Sequence, residues 1–143
     1  MRAAPATLLL TLAAIASAAV ACSTGTTGRE TVEVGGQSVP ASQLAGIDRA
    51  VCQAAAQASG DPAAAGHTFL GQAHDGIHLI ARGLQAVDRK ASADLLVAKY
   101  AVEADITDKA PGAKLAGDLV RLAATTRSGL DRLGVSVGSC PTN

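Results

Sequence analysis

The stretch "PGAKLAGDLVRLAATTRSGLDRLG", residues 111–134, decides the fold. Leu115, Leu119, Leu122, Leu130 and Leu133 fall at helical spacing and would share one face, the signature of an amphipathic helix buried along one stripe. Pro111 is suited to a first turn, where a missing N–H costs nothing, and Gly134 to a left-handed stop. Working back along the chain, Leu44, Ile47, Val51, Ala54 and Ala58 repeat the pattern and end near Gly60. Asp61-Pro62 is a capped opening for a second helix that runs to about Val87. On it Phe69, Leu70, Ala73, Ile77, Ile80 and Leu84 form one side, and Gly71, Gly76 and Gly83 imply close packing or plain irregularity. A third helix, capped by Ser92, turns Leu95, Val102 and Ile106 inward.

Ahead of these helices, "TVEVGGQSV" (31–39) places two β-prone pieces around Gly35-Gly36 and reads as a hairpin. Beyond them, "VSVGSC" (135–140) returns to β-prone character. Short connections between amphipathic helices predict a mainly α protein: an antiparallel four-helix bundle with a short N-terminal β-hairpin and a C-terminal tail tied by a disulfide. The expected organisation is an export signal at 1–21, a flexible tether at 22–30 and the helical domain at 31–143.

Composition narrows the function classes. The chain has 12 Lys/Arg against 12 Asp/Glu, so no basic field draws nucleic acid or anionic lipid. Phe69 and Tyr100 are its only aromatics, too few for stacking on bases or sugars. "GTTGRE" lacks the Lys-Ser/Thr of a phosphate loop. With Ala dominating, the core is Leu, Ile and Val set among small residues, which buries little area per residue and gives modest stability without a cross-link.

The N-terminus carries the address. Met1-Arg2, an uncharged run through Leu8–Ala21 and small residues before Cys22 have the layout of an export signal. A permanent transmembrane helix is the weaker reading, because the run is short, rich in Ala and lacks a basic stop. Ala19-Val20-Ala21-Cys22 resembles the lipobox of bacterial lipoproteins, whose cysteine receives a diacylglyceryl group before cleavage. The match covers four residues, with Ala19 where Leu is commonest. Together with the Ala-rich composition it resembles the small envelope lipoproteins of GC-rich, actinobacterial genomes. The alternative is ordinary cleavage with Cys22 a spare thiol, a liability in an oxidising compartment. The chain has three cysteines, an odd number. If Cys22 carries lipid, Cys52 and Cys140 remain to pair, closing a loop worth roughly 4–5 kcal/mol in the chain-entropy model. Two acyl chains anchor stably where one does not. The polar "STGTTGRE" after Cys22 then keeps the domain within about 25–30 Å of the headgroups.

All three histidines lie in "HTFLGQAHDGIH", at His67, His74 and His78. At about 100° per residue they make one stripe bordering the apolar face. His74 and His78, one turn apart, can converge on one zinc or copper ion, while His67 is about 10 Å further along the axis. Folding back around 88–92 sets residues 102–106 opposite the pair, so Asp105, with Glu103 and Asp108 nearby, is the expected third ligand. The plain alternative is boundary histidines that hydrogen-bond within the bundle or face solvent. Catalysis has less support: helical neighbours point apart, which leaves Asp75 badly placed to orient His74. Asp118–Arg121 and Arg127–Asp131 read as surface pairs. The functional expectation is a non-enzymatic lipoprotein on the extracytoplasmic face of the cell membrane. It would act as a structural module or bind an envelope partner, with no nucleic acid and no resident cofactor. The alternative is a transition-metal binder.

Overall fold

The computed structural model describes residues 29–141. The expected export signal 1–21, Cys22 and most of the expected tether lie outside them. Arg29 and Glu30, expected in the tether, belong to the folded domain: the Arg29 N–H donates to the Gly134 carbonyl at 3.4 Å, and the Ala41 N–H to Glu30 at 2.8 Å.

Strands β1 (Thr31–Val34) and β2 (Gln37–Pro40) pair antiparallel with Val34 opposite Gln37. The two-residue turn has φ of 58° at Gly35 and 80° at Gly36, both left-handed, as a tight hairpin matching strand twist requires. Val32, Val34 and Val39 are buried, and the hairpin packs on the helices through β1 against α3 and β2 against α1. This contact supplies the support an isolated hairpin lacks.

Helix α1 spans Ala41–Ala58, and every apolar position expected on its inner face is buried. The next rod is continuous but not uniform: α2 (Pro62–Thr68), a π turn (Phe69–Ala73) and α3 (His74–Val87). Asp61 caps it, its Oδ1 accepting from the Ala64 N–H at 2.9 Å. The π turn admits an extra residue and changes the helical phase. Phe69 therefore stays aligned with Ala73 and Ile77 in the core, while Leu70, expected beside it, is turned out and 49% exposed. Of the glycines in this rod, Gly76 marks the close approach to α1: a Cβ there would overlap the Ile47 side chain. A Cβ on Gly83 would meet Val34 and Leu133, whereas Gly71 faces open space.

One residue, Asp88, separates α3 from α4 (Arg89–Thr107). Asp88, not Ser92, is the cap, its Oδ1 accepting from the Ala91 N–H at 2.9 Å. Ser92 is buried one turn into the helix and donates to the Ala81 carbonyl at 2.8 Å, fastening α4 to α3. The capping hydrogen bond is the main cause holding the Asp88 carboxyl below its usual pKa, with Arg132 at 2.7 Å adding to it. Helix α5 (Gly112–Arg132) buries the leucines of the opening stretch. It ends in a Schellman motif, with Gly134 at φ 78° and the Val135 N–H on the Leu130 carbonyl at 2.9 Å.

The expected β character of 135–140 does not materialise. The segment runs as an irregular tail whose anchors are the buried Val135 and a Cys52–Cys140 disulfide, Cα atoms 5.3 Å apart, which ties it to α1. Helix α1 packs along α5, α5 along α4 and α4 along α3. Among the described residues no helix is long and apolar enough to cross a membrane.

Candidate functional site

The histidine cluster forms at the exit of the π turn. His74 Nε2 lies 2.8 Å from Glu103 Oε1 on α4, and its Nδ1 lies 2.8 Å from Asp75 Oδ1. Both ring nitrogens thus face carboxylate oxygens, an arrangement complementary to an imidazolium, which donates from both. The contact with Asp75 corrects the expectation drawn from regular helix geometry. His74 opens α3 directly after the π turn, and the fully exposed Asp75 is free to fold back onto the ring. His78 follows one turn on, its ring edge-on to His74 with centroids 5.3 Å apart. His67 lies on the other side of the π turn, exposed, and lines a separate cleft with Leu70.

The Glu103 carboxylate that meets His74 is also held by Lys99, one turn earlier on α4. Its side chain is 1% exposed, and Nζ donates to Glu103 Oε1 at 2.8 Å. Glu103 therefore joins a buried ammonium and a half-buried imidazole. Burial alone would raise the Glu103 pKa, but Lys99 and His74 together outweigh it and hold the carboxyl below its ordinary value. The His78 pKa is lowered from 6.5 as well, by burial first and then by the positive charges of Lys99 and His74. Lys99 was legible in principle. It stands four residues after Leu95 and three before Val102, in the inward stripe of its helix.

Asp105 is not brought to the histidine pair, which corrects the expected ligand set. With a single residue between α3 and α4, Glu103 comes level with His74. Asp105, two positions on, points about 200° away around the helix. It is buried, forms an ion pair with Lys114 of α5, and leaves Oδ2 without a hydrogen bond. Lys114 also reaches Asp118 at 3.2 Å, and hydrogen bonding to these two carboxylates raises the lysine's pKa. Burial works to raise the Asp118 pKa, but its hydrogen bond from Lys114 and the charges of Lys114 and Arg121 bring it below the usual value. Among the described residues no three His, Cys, Asp or Glu side chains are grouped to hold one metal ion.

A third buried charge lies between α1 and α5. Asp48, 3% exposed, replaces an apolar residue between Leu44 and Val51. Arg127 does not pair with Asp131 as expected. It follows the buried Thr126 on the side of α5 that faces α1, and its Nε approaches Asp48 Oδ1 at 3.3 Å. That approach lies off the N–H direction, so Oδ1 keeps no hydrogen bond. Arg127 Nη2 lies 2.9 Å from Cys52 Sγ and also touches Cys140 Sγ. Burial raises the Asp48 pKa against the opposing pull of Arg127 and Arg49.

Comparison with models of protein families, with curated proteins and with solved structures finds no match.

Proposed function

We propose that the chain is a lipid-anchored envelope protein, held by diacylglyceryl-modified Cys22 on the extracytoplasmic face of the cell membrane. Its helices form an antiparallel bundle acting as a non-catalytic structural or binding module for an envelope partner. The observation that carries the reading is the pairing of Cys52 with Cys140. It uses two of the three cysteines in the manner of an exported, oxidised chain and leaves Cys22, after Ala19-Val20-Ala21, as the odd one. The bundle arrangement is supported by the packing order α1–α5–α4–α3 and by the one-residue connection at Asp88. The non-catalytic reading is supported by His74, whose two nitrogens are both engaged by carboxylates.

Transition-metal binding is the second reading. It now rests on the adjacent rings of His74 and His78 alone, and zinc or copper would have to displace Glu103 from His74. Stoichiometric zinc uptake by the tag-free protein, lost in His78→Ala, would favour it. For the leading reading, Cys22→Ser is the test. The parent should incorporate labelled palmitate and fractionate with membranes, and the variant should lose the label and be released or remain unprocessed. Equal labelling and partitioning of the two proteins would overturn the lipid anchor.

A further inference from the structure

The guanidinium of Arg127 is oddly employed. Its Nη2 is directed at two disulfide sulfurs, which are neutral and poor acceptors, while its one carboxylate partner, Asp48, is met only at 3.3–3.4 Å. A donor so placed has little to gain from the oxidised pair and much to gain from the reduced one. A thiolate at Cys52 would turn the 2.9 Å contact into a charge-assisted hydrogen bond. Asp48 Oδ2 lies 3.8 Å from the same sulfur, and its unpartnered Oδ1 is buried. Beside them opens a cavity of about 570 Å³, lined by Asp48 and Cys52 of α1 and by Val137, Gly138 and Ser139 of the tail. Cys140 sits in that irregular tail, half-buried.

We infer that Cys52–Cys140 is an exchangeable disulfide, reduced by a partner dithiol that enters along the tail, with Arg127 holding Cys52 as the leaving thiolate. The partner's thiolate attacks Cys140 Sγ. The bond between the two sulfurs breaks, and its electron pair goes to Cys52. The partner's second thiol then attacks its own sulfur of the mixed disulfide, releasing Cys140 and leaving the partner oxidised. Two electrons and two protons pass from the dithiol to this protein. Asp48, whose Oδ2 lies 3.8 Å from Cys52 Sγ, is the relay for the proton that Cys52 takes up. The charged groups facing Asp48 are Arg127 from α5 and Arg49 from its own helix. The inference is independent of the lipid anchor.

The test is equilibration of the full chain, in detergent, across a glutathione redox series at pH 7. Alkylation and mass spectrometry count free thiols at Cys52 and Cys140, and circular dichroism follows the helices. The expected result is reversible two-electron reduction within the glutathione range with the helical signal retained. In a time course of exchange with dithiothreitol, Arg127→Gln should slow the release of free thiols about tenfold, and Arg127→Lys should recover most of the rate, because a stabilised thiolate leaves faster. Asp48→Asn should flatten the pH profile of the exchange rate. A pair that stays oxidised throughout the series, or that opens only as the helices melt, overturns the inference. So does a folded Arg127→Gln that exchanges at the parent's rate. Should Arg127→Gln fail to fold, the parent's own titration decides.

Discussion

The seam between α3 and α4 and the seam between α1 and α5 each set a charged residue in an apolar stripe, and they compensate it by different means. In the first, Lys99 is matched by Glu103, Glu103 by His74 and His74 by Asp75, all through 2.8 Å contacts. In the second, Asp48 meets Arg127 at longer range, one of its oxygens is unpartnered, and the seam is locked by a covalent bond to the tail. The difference teaches what a cross-link permits. In the α3–α4 seam charges alone join the helices, and the buried Lys99 ammonium is met by the Glu103 carboxylate, because an unmatched buried charge costs several kcal/mol. Where a disulfide holds the geometry, a polar group can be left under-satisfied beside a cavity, and such a group is free for chemistry.

The sharpest way to break the comparison is to remove the covalent lock. Cys140→Ser, alkylated or not at Cys52, should lose about 4–5 kcal/mol in urea unfolding, the chain-entropy value for a closed loop with sequence separation 88. A loss under about 1 kcal/mol would mean that the tail is held by other contacts and that the α1–α5 seam needs no lock.

The ion pair of the other seam should behave asymmetrically. Glu103→Ala strands the Lys99 ammonium and should cost about 3 kcal/mol, near the low end for a broken buried pair because Glu103 keeps some exposure. Lys99→Met fills the same space without charge and should be neutral or stabilising. Equal destabilisation by both variants would show that the pair adds stability in its own right.

Acid titration of stability gives the smallest effects, of opposite sign in the two seams. Glu103 has a folded pKa below 4.5, so the stability it contributes is present above that value and is lost as pH falls through and below it. Asp48 has a folded pKa above 3.8, so the native state takes up the proton first and gains stability as pH falls through the folded value. His78, lowered from 6.5, adds a loss as pH drops below 6.5, where the unfolded chain protonates first. Glu103→Gln and His78→Gln should therefore each flatten the acid loss of stability, while Asp48→Asn should steepen it. Slopes moving in the same direction for Glu103→Gln and Asp48→Asn would contradict the contrast between the seams.

Much of the fold is written locally. The leucine spacing of 115–133, the Asp61-Pro62 opening, the Gly35-Gly36 turn and the Gly134 stop each depend on a few neighbouring residues, and each stands where the local chemistry puts it. Asp88 displaced Ser92 as cap because both are capping residues and the chain turned as early as it could. Ser92 was then better used inside, on the Ala81 carbonyl.

The site was less legible, and the reason is phase. A helical wheel drawn through 62–87 assumes one period, but the π turn at 69–73 resets it, separating His67 from His74 and turning Leu70 outward. The register of α4 against α3 was known to within a turn, and two residues decide whether Glu103 or Asp105 meets His74. Lys99, Asp48 and Thr126 did announce themselves, as polar residues at inward positions of their helices, but a stripe pattern counts only apolar matches and so skips them.

By itself, then, the sequence determined which segments coil, where they start and stop, and which face of each is apolar, because propensity, capping and periodicity act over a few residues. Only the tertiary structure decided which charges meet. Partners such as Arg127 with Asp48, or Glu103 with His74 across two helices, are separated by tens of residues. Their encounter depends on helix phase and register to within one or two positions, a precision that burial of a broad apolar stripe does not encode.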